Sequence, residues 1–258
     1  MPPRVARIVS LDPATTEILF ALGAGDRLVG RDMYSHWPAA AERVASVGQG
    51  LRPNVEAVLA QHPDLVFLYP SQDNRGAAQR LRQAGIAVAA LKIDRIELFD
   101  RVTRLLGRLV GDSARGAYVA DTVRHTLDSV RAATRSQARV SVVMPVWDRP
   151  LIVIGGGSFM SQLVDIAGGR NIYDSLPESS PTVTLEDVVR RNPDAVLVGP
   201  ERSMTLRANP SWRAVPAVRA GRVLVLDTNV VLRPAVRLGE GAVSLARLLH
   251  PLHPQGAH

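Results

Sequence analysis

The sequence predicts an α/β protein of two similar lobes, each built on a parallel sheet, joined by one long α-helix. Three observations carry this expectation. Short continuous apolar runs alternate with helix signals along most of the chain, a strand–helix grammar occurs twice, and the stretch between the copies has neither a strand signal nor a proline. Strands that read as unbroken apolar runs between helices belong to parallel sheets covered on both faces. Those features divide the chain into an N-terminal lobe over 1–111, a connecting helix over 112–137 and a C-terminal lobe over 138–258.

The first strand is "VARIVSL" at 5–11. Asp12 caps the helix that follows, Pro13 suits its first turn, and Gly23 and Gly25 close it. "RLVGR" at 27–31 is a short buried strand. Residues 54–70, "NVEAVLAQHPDLVFLYP", then read as a short helix, a Pro-Asp break and a strand; "AAQRLRQAG" and "IAVAALK" add a helix and a strand. The second half repeats this with "ARVSVVMPV" at 138–146 as a strand, "SFMSQLVDIAGG" at 158–169 as a helix, and "RNIYD" as a short strand. Next comes "TLEDVVRRNPDAVLVGP" at 184–200, a helix near 211–220, and the strand "GRVLVLD". The two seventeen-residue units align without a gap at Glu56/Glu186, Val58/Val188, Pro63/Pro193, Asp64/Asp194, Val66/Val196 and Pro70/Pro200. A repeat of this extent marks a duplicated lobe. In the connecting stretch Val119, Val123, Leu127 and Val130 recur at spacings of three and four, the stripe of an amphipathic helix. About 22 helical residues would extend roughly 33 Å, a stiff bridge.

Composition narrows the function. The chain has 258 residues, 46% hydrophobic and 21% charged, with no cysteine, which excludes disulfides and thiolate metal sites. No apolar stretch approaches the roughly 18 residues of a spanning helix, and the N-terminus shows no signal-peptide core. The net charge of +7 comes from dispersed arginines with no basic run, so no nucleic-acid partner is expected. Enzyme signatures are missing: no Walker lysine, no nucleophile elbow, no His-Glu-x-x-His. "GGGS" at 155–158 reads as a tight turn, or alternatively as a cradle for an anionic substrate in a two-lobe enzyme. The histidines, three of them after residue 249, give no ligand spacing, and His36 stands alone, so no metal site is expected.

Ligands of parallel α/β sheets bind beyond the carboxyl ends of the strands. The residues there are Asp12, Tyr34 and Trp37 in "RDMYSHWP", and Tyr69 after "LVFL"; in the second half they are Trp147 and Arg233. In a chain poor in aromatics, four gathered at such positions suit a bulky or planar ligand. Arg233 suits a carboxylate or phosphate on that ligand, or a surface ion pair. Glu56 and Glu186 each stand in the first turn of a helix behind a capping Asn54 or Thr184, where an acid favours the helix dipole.

The order of these segments resembles a known family, the substrate-binding proteins of ABC importers for cobalamin, haem and ferric siderophores. The resemblance covers essentially the whole chain through "RIVSLDPATTEILFALGAGDRLVG", "YSHWP", "VEAVLAQHPDLVFLY", "LVDIAGGRNIYD", "VTLEDVVRRNPDAVLV" and "LRPAVR". It implies Rossmann-like lobes, no catalysis, no cofactor, and a cobalt corrinoid or iron chelate held in the interlobe cleft. It also implies a periplasmic or membrane-associated extracytoplasmic monomer that delivers to a permease dimer, with Glu56 and Glu186 docking on permease arginines. Similarity is closest to the cobalamin binders, whose aromatic pocket positions match Tyr34 and Tyr69 and whose pocket arginine matches Arg233. The sequence departs from them at Gly48 and Ser180, where those proteins place tryptophans. A ferric siderophore or haem is the alternative ligand.

Overall fold

The computed structural model describes residues 5–251. His253 and His258, two of the tail histidines, lie outside the described residues. The chain forms two compact units: unit 1 takes residues up to Ile93 and Glu97–Thr122, unit 2 takes Asp94–Ile96 and everything from Val123.

Unit 1 alternates strand and helix in the predicted order: β1 (Ile8–Leu11), α1 (Pro13–Ala21), β2 (Leu28–Arg31), α2 (Val55–Leu59), β3 (Leu65–Leu68), α3 (Arg75–Gln83) and β4 (Ala87–Ala90). Two longer helices follow, α4 (Ile96–Val110) and α5 (Ser113–Thr134). α5 is the predicted 22-residue helix; residues 113–122 belong to unit 1 and 123–134 to unit 2. The four strands are parallel in the order β2-β1-β3-β4. The inner strands β1 and β3 are buried along their whole length, as apolar strands covered on both faces must be, and the edge strand β4 is more open. Val9, Leu11, Val58, Val66 and Leu81 form the core of one face.

Unit 2 continues with β5 (Val140–Val143), β6 (Pro145–Asp148), β7 (Leu151–Val153), α6 (Phe159–Ile166), β8 (Gly169–Asn171), α7 (Leu185–Arg191), β9 (Ala195–Val198), α8 (Pro200–Ala208), α9 (Pro216–Arg219), β10 (Val223–Val225), α10 (Thr228–Val231) and α11 (Leu238–Leu249). Its parallel sheet has the order β10-β9-β5-β8. Read from the other edge, this is second, first, third, fourth in sequence, the order of unit 1. The duplication seen in the sequence is therefore a duplication of topology.

The single strand expected over 138–146 is in fact two elements. Pro145 has no N–H to give to a ladder, and a strand paired on both sides cannot hold it. β5 ends at Val143, and β6 turns away to pair antiparallel with β7. The helix expected near 211–220 is a 3-10 turn over Pro210–Ala214 followed by the short α9, divided at Val215-Pro216.

The paired seventeen-residue units share their joints in detail. Asn54 accepts from the Ala57 N–H at 3.0 Å and Thr184 from the Asp187 N–H at 3.2 Å, so both helices are capped as expected. His62 and Asn192, each just before the proline, adopt left-handed backbone with φ 46° and 45°. Asp64 then accepts from the N–H groups of Ala6 and Arg7, at 2.9 and 2.8 Å, just before β1. Asp194 accepts from the N–H and hydroxyl of Ser141, at 2.8 and 2.6 Å, within β5. The repeated Pro-Asp is thus a clip fastening the third strand's start to the first.

These bonds favour the charged carboxylates. The Arg7 N–H, followed by that of Ala6, holds Asp64 below the ordinary range, and the Ser141 hydroxyl does the same for Asp194. Both carboxyls have folded-state values below their unfolded ones, so their contribution is present above about pH 4 and is lost as pH falls through the folded values. Stability should therefore decline as pH falls below about 4, and the decline should be shallower in Asp64→Asn/Asp194→Asn. Urea melts at several pH values check this; parallel slopes in the two proteins would dismiss the clips.

Candidate ligand site

In unit 1 Asp12 directly follows β1 and Tyr69 directly follows β3, while Tyr34 and Trp37 lie on the loop after β2. Their roles differ. The Asp12 carboxylate is the N-cap of α1, accepting from the Thr15 N–H at 2.9 Å and the Thr15 hydroxyl at 2.6 Å. It builds the strand–helix turn, which is the capping part of its expected role.

Tyr34 is 51% exposed on a loop whose foundation is buried. Ser10, Thr16, Asp32 and Ser35 are all buried. The Thr16 hydroxyl donates to Ser10 at 2.8 Å, Ser35 donates to Asp32, and the Asp32 N–H donates to the Ser10 carbonyl at 2.9 Å. The Tyr34 N–H donates to the Asp32 carboxylate at 3.2 Å. This network ties β1, α1 and the turn after β2 into one piece. An exposed ring on a fixed backbone gives contact area with little ordering cost, a property of binding surfaces.

Tyr69 is half-buried, and its carbonyl accepts from the Asn74 side chain at 2.7 Å. The same Asn74 nitrogen donates to the Gly50 carbonyl at 3.3 Å, and Gly50 lies against the Leu11 carbonyl at the end of β1. Sequence reading missed Asn74, Asp32 and Ser35 because polar residues in loops are common. It also missed Met33 and Leu51, exposed beside Tyr34 and on the Gly50 loop, because such residues read as core. Gly48 has φ +98°, a conformation that L side chains rarely adopt. The missing tryptophan is therefore accompanied by a backbone built around glycine.

In unit 2, Trp147 is 59% exposed, but it projects from the β6–β7 hairpin and not from the end of a parallel strand, a correction to its expected setting. Its indole N–H donates to the Arg149 carbonyl at 3.1 Å. The neighbouring Asp148 pairs at 2.6 Å with Arg202 of α8, anchoring the hairpin to the helix after β9. Met204 on α8 is 77% exposed, and sequence patterning gave no sign of it. Arg233 is half-buried and follows α10, not the strand end itself; that short helix intervenes after β10. Where Tyr69 ends β3, Gly199 ends β9, because a side chain at 199 would meet the Thr228 methyl group at 2.7 Å.

The two acids at the helix starts also differ. Glu56 pairs with Arg80 at 2.6 Å, both exposed; its own backbone N–H and then the Arg80 guanidinium hold its carboxyl below the ordinary range. Glu186 is exposed and forms no hydrogen bond or ion pair among the described residues.

The glycine run offers no anion cradle. The Gly155 N–H donates to Ser179, that of Gly156 to Tyr173 and Leu176, and that of Gly157 to Glu178, all backbone carbonyls. His36, considered for a metal, pairs through Nδ1 with Glu42 at 3.0 Å. Among the described residues no group of three His, Asp or Glu could hold a metal, and no helix is long and apolar enough to cross a membrane.

Comparison with known proteins agrees with the fold. A vitamin B12-binding protein of Vibrio vulnificus is 25% identical over 90% of this chain and 86% of its own. A cobalamin-binding protein of Halobacterium salinarum is 30% identical over 95% of this chain and 69% of its own. Among solved structures, a periplasmic heme-binding protein from Pseudomonas aeruginosa superposes with a TM-score of 0.82 at 27% identity, covering 96% of this chain and 94% of the other. The family described as periplasmic binding protein matches residues 8–230, a span that takes in both parallel sheets. The chain belongs to that periplasmic binding protein family and is a substrate-binding transport protein, not an enzyme.

Proposed function

We propose that this protein is the extracytoplasmic binding component of an ABC importer and captures a corrinoid of the cobalamin type for delivery to a membrane permease. The observation that carries the reading is the exposed Tyr34 ring on a loop fixed from beneath by buried hydroxyls. A large planar macrocycle needs wide, rigid apolar faces, and Tyr34 and Tyr69 supply them. Trp147 and Trp37 add aromatic area, and Arg233 offers a guanidinium for an anionic or amide substituent. The names of the Vibrio and Halobacterium relatives point to the same ligand class. A second reading, an iron chelate such as haem or a ferric siderophore, draws on the Pseudomonas structure.

The test is titration of the purified protein with cyanocobalamin, cobinamide, hemin and a ferric siderophore, followed by heat and by tryptophan fluorescence. One-to-one binding of the corrinoids in preference to hemin is expected. Preference for hemin or the siderophore selects the second reading, and no binding to any of them overturns both. Tyr34→Ala and Tyr69→Ala should each weaken binding of the selected compound by about 1–3 kcal/mol. Unchanged affinity in both variants would remove these residues from the site.

A further inference from the structure

We propose that Arg207, Arg213 and Arg219 form a binding site for a phosphate monoester on unit 2, at the opposite edge of its sheet from the strand carboxyl ends. The three guanidiniums border a groove of about 500 Å³ whose remaining lining is Val218, Gly221 and Val223. Arg207 stands at the last turn of α8 and Val223 opens β10, which fixes the groove at the amino-terminal edge of the sheet.

Two features leave these arginines available to an anion. The first is the absence of an acid. Arg80, Arg104, Arg131, Arg139, Arg190 and Arg202 each pair with a carboxylate, whereas no carboxylate lines this groove. Among the described residues none of the three groove arginines pairs with one. The second is orientation. Arg207 Nη2 donates to the Val223 carbonyl at 2.9 Å, and Arg219 Nη1 donates to the carbonyls of Arg213 and Ala214 at 2.9 and 3.2 Å. Each tether uses one nitrogen of the fork and leaves the other donors for a guest. The Arg213 side chain makes no hydrogen bond or ion pair among the described residues.

Three positive groups around one groove call for more than a single negative charge. A carboxylate would leave two guanidiniums uncompensated, while a phosphate monoester carries about −1.5 to −2 at neutral pH on three strong acceptor oxygens. Guanidinium groups match such oxygens in charge and in geometry. The groove is larger than a phosphate alone, so the esterified portion has room against Val218 and Val223. The group could arrive as a free phosphate ester or as a lipid headgroup such as phosphatidic acid.

The experiment uses the whole chain. Inorganic phosphate and glycerol 3-phosphate are titrated by calorimetry, and vesicles of phosphatidylcholine with or without phosphatidic acid are tested by flotation. The comparison is between wild type, Arg207→Gln/Arg213→Gln/Arg219→Gln, and the charge-matched control Arg75→Gln/Arg101→Gln/Arg108→Gln. Wild type and control should bind, and the groove variant should lose about tenfold or more in affinity. Binding should also weaken from pH 7.5 to pH 5 as the phosphate takes up its second proton. Because Arg207 and Arg219 also bond to backbone, Arg213→Gln alone serves as the folding-neutral variant, with severalfold weaker binding at unchanged melting temperature. Binding to free phosphates identifies a soluble ester, and binding to vesicles alone identifies a lipid. No binding in either form, or equal loss in groove and control variants, overturns the site.

Discussion

Gly156→Ala is expected to destabilise unit 2 by about 3 kcal/mol or more. A Cβ there would lie 1.9 Å from the Asp174 carbonyl oxygen and 3.0 Å from that of Leu176. Both obstacles are backbone, so no rotamer change relieves the clash and the loop over 174–179 has to move. Moving it strains the bonds from the Gly156 N–H to Tyr173 and Leu176, now 3.1 and 2.8 Å. It also disturbs Gly155 and Gly157, which approach the Glu178 and Pro177 carbonyls as closely. Overpacking costs about 1–3 kcal/mol and each lost hydrogen bond about 1 kcal/mol more. For a chain of this size the melting temperature should drop by roughly 6–12 °C. Gly76→Ala in α3 is the control: nothing lies within 4 Å of its Cβ, so it should be neutral or slightly stabilising. A Gly156→Ala protein within 1 °C of wild type would show that the loop yields freely and that the glycine run is there for another reason.

The same glycine run shows what the sequence could and could not tell. "GGGS" before a helix is compatible with a tight turn and with an anion cradle, because both need small residues and amide donors. Only the placement of the 174–179 carbonyls decides, and those come from a segment about twenty residues away. The lobes themselves were legible because their cause is local: unbroken apolar strands, capped helices and a Pro-Asp joint occurring twice. Where the reading failed, a single residue overrode the pattern. "VSVVMPVW" is apolar enough for one strand, yet Pro145 cannot serve a doubly paired strand, and Trp147 is carried onto a hairpin. The proposed site was suggested by aromatics, which are rare in this chain; Tyr34, Trp37 and Tyr69 follow strands of unit 1, whereas Trp147 lies on a hairpin. Its foundation was not, since Ser10, Thr16, Asp32, Ser35 and Asn74 acquire meaning only from the hydrogen bonds they make.

Charge reversal at both helix starts, Glu56→Arg/Glu186→Arg, should abolish uptake through the cognate permease and leave ligand affinity within about twofold. The proposed role rests on one exposed acid at the equivalent position of each unit, presented by a capped helix. Docking onto permease arginines would use these carboxylates, and replacing an attractive pair by a repulsive one at an interface costs several kcal/mol per site. The alternative is that each acid serves only its own helix, where its interaction with the dipole is worth about 0.3–1 kcal/mol. The two accounts separate cleanly. Both roles predict a small loss of stability, since a cation at a helix start opposes the dipole, but only a docking role predicts lost uptake. The singles should also be unequal. Glu186 has no partner among the described residues, so its full charge is available to a partner. Glu56 already holds Arg80, though exposed pairs of this kind contribute little and exchange readily. Glu186→Arg should therefore impair uptake more than Glu56→Arg, and Arg80→Gln should leave uptake intact or improve it. Normal transport by the double variant would leave capping and the dipole as the whole explanation for the repeated acid.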